Sequence, residues 1–117
     1  MRGLVIAARV SVFSVLAGCA TSVPTGHAWD DDVGLVESGR QVAVEQCSSC
    51  HAIDRETMSP LPQAPPMSTL LSRYDPDMLA NDLIEGIRVG HDEMPRFDFN
   101  ILATDALIAY LKSIERD

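Results

Sequence analysis

Small and apolar residues recur with a helical period in the stretch that follows residue 32. The pattern predicts a helix over residues 33–46, with Asp32 as its N-cap. One face of this helix carries four small or apolar residues: Val36, Gly39, Ala43 and Cys47. Glycine on a buried helix face usually lowers stability. Gly39 therefore predicts a second helix that packs closely against this face.

A second helix is predicted to begin at Asp75-Pro76, because an N-cap residue is followed there by proline at the first helical position. Gly90 is placed to end it. Its apolar face repeats every four residues: Leu79, Leu83 and Ile87. We expect Met78, on the same helix, to fill part of the core.

Asn100 is the predicted N-cap of a last helix over residues 101–115, and a short helix is predicted for residues 68–73. The last helix carries an apolar stripe with Tyr110 beside it: Leu107, Ile108, Leu111 and Ile114. The segment Ser59–Pro66 contains four prolines and cannot form a regular helix. No strand-and-helix alternation is visible, so the pattern predicts an all-α fold.

Residues 1–18 have the pattern of an export signal, with Arg2 at the positive end and an apolar run that continues to Ala17. The residues around Cys19 resemble the processing box of bacterial lipoproteins, in which the signal is cut before a cysteine that then carries the lipid. On this interpretation residues 19–32 form a tether and residues 33–117 form one domain. The protein would be periplasmic and anchored to a membrane through lipid.

Two other interpretations of the N-terminal region stay open. An ordinary signal could be cleaved after Ala20 or Ala28, which would release a soluble protein, or the segment could remain as an uncleaved anchor. Lipidation of Cys19 explains why the chain has a third cysteine in addition to Cys47 and Cys50. His27 is interpreted as a solvated residue of the tether.

The chain is acidic, with a formal charge of −8. Arg2 and Arg9 are the only charged residues of the first 18, so their removal leaves the remainder at −10. This charge argues against a nucleic-acid partner, because phosphates are bound by patches of lysine and arginine. It suits a protein partner with a basic surface, without naming one.

The segment Cys47-Ser48-Ser49-Cys50-His51 carries the most specific chemistry of the chain. Two cysteines separated by two residues and followed by histidine form the attachment signature of c-type haem. Each thiol can add to one vinyl group, and the imidazole of the next residue is then close enough to reach the iron. The predicted cofactor is one haem c, attached through Cys47 and Cys50, with His51 as an iron ligand.

The same cysteine pair has two alternative interpretations, a zinc site and a redox pair. A structural zinc site normally takes four nitrogen or sulfur ligands. Since Cys19 lies in the export segment, the fourth ligand would have to be His27 or His91. A thioredoxin-like redox pair belongs with a βαβ pattern, which this chain does not show.

Met94 is the predicted second iron ligand. It precedes Pro95, which holds it in an extended conformation outside any helix, and it lies just before the last helix. Methionine opposite histidine is a standard ligation of cytochromes c. His91 is the rival for this position, and Met58 and Met67 in the proline-rich region are weaker candidates.

From about residue 33 to residue 114 the chain resembles the class I c-type cytochromes of the bacterial periplasm. The resemblance covers roughly 80 residues, about the size of one small domain. The segments that carry it occur in the family's order: Gly39 and Ala43, Cys47–Ala52, Ala64–Met67, Glu85–Ile87, Gly90-His91, Met94–Phe97 and Ala109–Ser113. The chain departs from common relatives at Met67, where a large apolar residue such as phenylalanine or leucine often lies.

The resemblance implies a cytochrome c-like fold of three to four main helices around one covalently bound haem. It implies that the first and last helices cross at Gly39, near Tyr110. Carried over, Cys47 and Cys50 are the attachment residues, His51 and Met94 are the two iron ligands, and Pro65 supplies the carbonyl that holds His51.

The predicted function is that of a one-electron carrier between redox proteins, and not of an enzyme, because both axial positions are filled by the chain. The alternative is the electron-accepting cytochrome subunit of a membrane dehydrogenase or oxidase complex. A ligand-binding or peroxidatic haem protein is a further alternative, which requires a labile Met94 bond.

Overall fold

The computed structural model describes residues 28–116, with side chains from residue 32 onward. It contains three α-helices and one 3-10 helix: α1 (Ala28–Gln46), the 3-10 helix (Met67–Thr69), α2 (Pro76–Ile84) and α3 (Ile101–Ile114). Residues 28–116 contain no strand, so the predicted all-α class is confirmed for this part of the chain. The predictions for the export signal, Cys19 and His27 lie outside the described residues.

None of the helices in residues 28–116 combines the length and the apolar composition that crossing a bilayer requires.

The first helix begins earlier than the sequence pattern predicts. The prediction of Asp32 as N-cap was wrong, because α1 begins at Ala28 and Asp32 lies inside it. The last residues of the predicted tether are therefore helical. No proline or glycine occurs between Ala28 and Val33 to stop the helix from extending in this direction. The predicted end at Gln46 is confirmed.

Helices α1 and α3 form the main helix–helix contact of the described chain, and Gly39 lies where they touch. A Cβ atom added at Gly39 would overlap the backbone carbonyl of Ala106 and lie 2.8 Å from Cβ of Tyr110. Only glycine allows the two backbones to come this close. The close approach that Gly39 predicts is thus present.

The core lies where α3 meets α1, α2 and the 3-10 helix. Its buried hydrophobic members come from all four of these elements and from the segment after α2: Ala43, Cys47, Met67, Leu79, Leu83, Val89, Leu107, Ile108, Tyr110 and Leu111. Three of the four residues of the predicted stripe on α3 are fully buried, and Ile114 is partly buried.

Helix α2 begins at the predicted residue but ends earlier than the sequence pattern predicts. The side chain of Asp75 accepts hydrogen bonds from the backbone N–H groups of Asp77 and Met78, so its role as N-cap is confirmed. The helix ends at Ile84 and not at Gly90, because the chain turns at Gly86 with a φ of 68°. Such a left-handed glycine is a common helix terminator.

Two residues that the pattern assigned to the buried side of α2 are exposed. Ile87 lies beyond the helix and is 46% exposed. The prediction that Met78 fills the core was wrong, since its side chain is 68% exposed. Only Leu79 and Leu83 of this helix are buried.

The predicted short helix over residues 68–73 is reduced to the 3-10 helix Met67–Thr69 followed by turns. Helix α3 is close to its prediction: the Asn100 side chain accepts a hydrogen bond from Ala103 N–H, and the helix ends at Ile114.

Arg55 binds the C-terminal end of α3 across a long sequence separation. Its Nε atom donates to the carbonyl oxygen of Ile114 at 3.0 Å, and Nη2 donates to those of Ser113 and Glu115 at 3.1 and 2.8 Å. The last carbonyl groups of a helix have no partner inside the helix and carry partial negative charge. Arg55 therefore caps α3 and fixes it to the segment after His51.

Replacing Arg55 with alanine is expected to lower the free energy of unfolding by about 1–2 kcal/mol, since three charge-assisted hydrogen bonds at an exposed site are lost. Urea unfolding followed by circular dichroism measures this change. Arg73→Ala is the matched control, because Arg73 is an exposed arginine outside this contact. Equal effects of the two substitutions would contradict the capping role.

Candidate functional site

The two cysteines and the histidine of the attachment signature lie on a turn that continues α1. Cys47 N–H donates to Ala43 O at 2.9 Å, and His51 N–H donates to Cys47 O at 2.9 Å. Residues three and four apart on such a turn face the same way. Cys47 is buried, whereas Cys50 and His51 are partly exposed. The turn thus presents two thiols and one imidazole on the same side.

The imidazole of His51 is held by the proline-rich loop. Its Nδ1 atom lies 2.7 Å from the carbonyl oxygen of Pro65. A carbonyl can only accept, so Nδ1 donates and carries the ring proton. The Nε2 atom then keeps a free lone pair, which is the form that binds metals. The contact that the family resemblance implies for Pro65 is present, and the neighbouring Pro66 does not make it.

Backbone hydrogen bonds bring this loop to His51. Leu61 N–H donates to Cys50 O at 3.1 Å, and Met67 N–H donates to Ala52 O at 2.9 Å. The Ser59 hydroxyl accepts from Ala52 N–H at 3.0 Å. These bonds tie both ends of the loop to the residues on either side of His51. The orientation of the imidazole is therefore set by the loop rather than by the turn alone.

Met94 lies on the segment between α2 and α3. Gly90, with a φ of 72°, turns the chain before it, and Met94 N–H donates to His91 O at 2.9 Å to close a turn. Pro95 follows directly. Met94 is partly buried and packs against the core, in contrast to Met58 and Met78, which are exposed. Met67 is buried in the core.

Cys47, His51, Met94 and Phe97 border two adjoining openings in the protein. Each opening encloses about 580–600 Å³ of empty space, counted to its open mouth. We refer to the two openings together as the cleft. All four predicted attachment and ligand residues border it: Cys47, Cys50, His51 and Met94.

The inner part of the cleft is almost entirely apolar. The side chains that line it come from the 3-10 helix region, α2 and α3, and they include Met67, Leu70, Leu79, Leu83, Leu107 and Leu111. Tyr74 and Phe97 also line it. The inner part of the cleft therefore suits an apolar ligand better than a small polar one.

The outer part of the cleft has a polar edge formed by two loops. Gln63 Nε2 donates to Glu93 Oε2 at 3.1 Å, which links the proline-rich loop to the Met94 segment. His91 and Glu93 are exposed at the same edge. The sequence pattern did not identify Gln63, Glu93 or Arg55. Their contacts depend on loops far apart in sequence, and no local signal marks them.

The zinc alternative finds no support in the described residues. No group of three or more histidine, cysteine, aspartate or glutamate side chains comes together there in a way that could hold a metal ion.

The thiol of Cys47 is poorly reactive in the folded chain. Burial, with a contribution from the Cys50 thiol, raises the pKa of Cys47 from 9.0 to about 11. The thiolate is the form that reacts with alkylating agents. Buried and protonated, Cys47 behaves at neutral pH as a small apolar residue of the cleft.

The raised pKa of Cys47 predicts slow alkylation of the haem-free chain. Below pH 9, iodoacetamide is expected to modify Cys47 about a hundredfold more slowly in the folded chain than in urea, because two pKa units separate the thiolate populations. Mass spectrometry assigns the modified cysteine. Equal alkylation rates in the folded and unfolded states would contradict the burial of Cys47.

The raised pKa of Cys47 also predicts how stability depends on pH. The unfolded thiol loses its proton first, so the folded chain is expected to lose stability as the pH rises from 9 to 11.

The chain was compared with family models, curated proteins and solved structures, and no match was found in any of the three.

Proposed function

We propose that this protein is a monohaem c-type cytochrome that carries single electrons between redox proteins. The observation that carries the proposal is the cleft itself, which gathers the thiols of Cys47 and Cys50, the imidazole of His51 and the thioether of Met94 around an apolar interior. In this proposal the fold is cytochrome c-like. The contact of α1 with α3 at Gly39 supports that assignment.

The residues of the cleft fit a haem group in type and arrangement. Cys47 and Cys50 would hold it through two thioether bonds, and His51 Nε2 and Met94 Sδ would be its two axial ligands. Bound there, haem would supply one-electron chemistry through the Fe(II)/Fe(III) couple, with methionine ligation raising the potential. The chain itself supplies the ligands, fixes their orientation and keeps water away.

His51 is prepared for this role before any cofactor is bound. Its Nδ1 proton is donated to Pro65 O at 2.7 Å, which fixes the tautomer and the plane of the ring. Such a contact also increases the basicity of the opposite nitrogen. The apolar walls formed by α2 and α3 would bury the faces of a planar cofactor and exclude water from them.

Electron transfer is favoured over catalysis because the chain offers two donor atoms for the iron, His51 Nε2 and Met94 Sδ. With both of them bound, no open position would remain on the metal for a substrate. A peroxidatic or ligand-binding protein would instead release Met94 easily. The partner of the protein, either as a free carrier or as the cytochrome subunit of a membrane dehydrogenase or oxidase, would be another redox protein.

We further propose that the protein is exported and anchored through a lipid on Cys19. This proposal is based on residues 1–19 of the sequence, with the acidic domain held near a membrane surface by the segment that follows. Mass spectrometry of the mature N-terminus tests it. A mature chain that begins after Ala20 or Ala28 would show release in soluble form.

The proposed function is tested on the full chain produced with the haem c maturation system. We expect haem that survives denaturation and acid extraction, a sharp α-band after reduction, and a weak sulfur-to-iron band in the oxidised spectrum. Carbon monoxide should not bind to the reduced protein at neutral pH. A chain that matures without covalent haem would refute the proposal, and ready binding of carbon monoxide would favour a ligand-binding protein.

A further inference from the structure

His91 lies at the same edge of the cleft as the residues assigned to the cofactor. It borders the opening that also contains Cys50, His51 and Met94. It is separated from Met94 by only two residues, and the turn closed by Met94 N–H and His91 O joins them. A second imidazole therefore lies beside the thioether at the mouth of the site.

The side chain of His91 is only loosely held. It is 66% exposed, and its Nδ1 atom accepts one hydrogen bond from Glu93 N–H at 3.2 Å. Glu93 Oε2 lies 3.7 Å from the same nitrogen. No apolar contact in the core has to be broken when this side chain moves. The imidazole could therefore leave its present position at little cost.

The segment that carries His91 and Met94 has the features of a movable unit. Gly86 and Gly90, both with positive φ, lie between the end of α2 and the turn. Between Gly90 and Asn100 the backbone forms no helix, and the Gln63–Glu93 hydrogen bond links this segment to the proline-rich loop. Rotation about Gly86 and Gly90 is the movement that would bring the His91 imidazole to the place of the Met94 thioether.

We propose that His91 is a reserve iron ligand, which takes the coordination position of Met94 when the thioether is removed or displaced. The inference rests on the proposed function. The exchange breaks one dative bond from sulfur and forms one from the neutral imidazole, and no electron is transferred. Release from Glu93 N–H leaves Nδ1 free to take the ring proton through solvent, so that Nε2 can bind. Replacement of methionine by histidine lowers the reduction potential.

Few other nitrogen donors in the chain could act in this way. Met67 also lines the cleft, but ligation by its thioether would keep the sulfur-to-iron band. The chain has three histidines, His27, His51 and His91, and one lysine, Lys112. Lys112 is exposed on α3 and does not border the cleft. His27 lies outside the described residues, so it serves as the competitor that the experiment has to exclude.

The experiment compares the spin state of the iron in four forms of the full-length haem protein: wild type, Met94→Ala, Met94→Ala/His91→Ala and Met94→Ala/His27→Ala. Electron paramagnetic resonance and absorption spectra of the oxidised forms are recorded. We expect Met94→Ala to lose the sulfur-to-iron band and remain low-spin, with a lower reduction potential. Only the additional loss of His91 should convert it to a high-spin form.

A second measurement covers the case in which the Met94 variants do not accumulate. Wild type and His91→Ala are titrated with guanidinium chloride, and the comparison is made where the sulfur-to-iron band is lost while the far-ultraviolet circular dichroism of the helices is retained. Wild type should lose the sulfur-to-iron band and stay low-spin, while His91→Ala should become high-spin at the same point.

The inference is overturned if Met94→Ala is already high-spin, or if the variant that lacks both Met94 and His91 is still low-spin. A high-spin Met94→Ala/His27→Ala protein would overturn it as well, by assigning the role to His27. These outcomes all require covalent haem in the wild type. Its absence there would instead be the failure of the proposed function.

Discussion

Alanine at position 39 is expected to destabilise the protein severely, by about 3 kcal/mol or more in the free energy of unfolding. The added Cβ would overlap the backbone carbonyl of Ala106, and Cβ of Tyr110 would lie 2.8 Å away. An overlap with a side chain can be relieved by rotation of that side chain. An overlap with a helix backbone can be relieved only by a shift of the whole helix. Separation of α1 from α3 would open the largest helix contact of the described chain.

The separation would also disturb the site, because both helices contribute to it. Cys47 lies on the turn that continues α1, and Leu107 and Leu111 of α3 line the inner cleft. The hydrogen bond from the Tyr110 hydroxyl to Ile53 O, at 2.6 Å, would be strained as well. With total stabilities of about 5–15 kcal/mol for folded domains, we expect Gly39→Ala to accumulate poorly and to mature little haem.

Gly34→Ala is the matched control, since it makes the same change in the same helix. A Cβ atom at Gly34 would meet nothing within 4 Å. Alanine is a better helix former than glycine, so this variant should be stabilised by about 0.5–1 kcal/mol. Urea unfolding followed by circular dichroism compares the two. Similar stabilities of both variants would show that α1 and α3 do not approach each other closely at Gly39.

The sequence predicts the helical part of the fold well wherever a local signal exists. Asp75 and Asn100 were predicted as N-caps, and both side chains accept the expected backbone hydrogen bonds. Gly39 predicts a close helix crossing but does not identify the second helix. The family resemblance identifies it as the last helix, near Tyr110. These signals succeed because capping and close packing depend on the chemistry of single residues.

Helix boundaries without such a signal were predicted poorly. Asp32 has the chemistry of a cap, but the residues before it can also be helical, and α1 continues to Ala28. Gly86 and Gly90 are both able to end α2, and the period of the apolar residues favoured the later one. The exposure of Met78 is a separate error, because this residue lies inside α2, where only Leu79 and Leu83 are buried.

Part of the candidate site can be predicted from the sequence. The residues proposed to hold the cofactor could be named from spacing and from the family resemblance, and the structure places them around one cleft. The contacts that hold the loops in place could not be named. Arg55 reaches the end of α3, and Gln63 reaches Glu93, only because the chain has folded. Contacts of this kind leave no periodic pattern.

Loss of both signature cysteines is expected to abolish covalent haem attachment. In the proposed function each thiol forms one thioether, so Cys47→Ala/Cys50→Ala has no atom that could make the bond. His51 and Met94 could still bind the metal, but the cleft is open on one side, so haem that is not covalently bound would dissociate into solvent. Haem should therefore appear in the organic phase after acid extraction of the double variant and remain with the wild-type protein.

The single variants and a serine control make this test specific. Cys47→Ala and Cys50→Ala each keep one thiol and should retain some covalent haem, seen as a shift of the reduced α-band that reports one unreacted vinyl group. Ser49→Ala removes an exposed hydroxyl that lies 3.7 Å from the Cys50 sulfur but is not needed for a thioether bond, so this variant should attach haem as wild type does. Covalent haem in the double variant would place the attachment elsewhere in the chain.

The two cysteines should also differ in what they contribute to stability. Cys47 is buried against Ala43 and the core, whereas Cys50 lies at the outer edge of the cleft. Removal of the Cys47 sulfur leaves a small cavity in addition to the lost bond, so Cys47→Ala is expected to be less stable than Cys50→Ala by about 1 kcal/mol. Thermal unfolding of the two haem-containing variants measures the difference. A lower stability of Cys50→Ala than of Cys47→Ala would show that the burial of Cys47 does not determine the difference in stability.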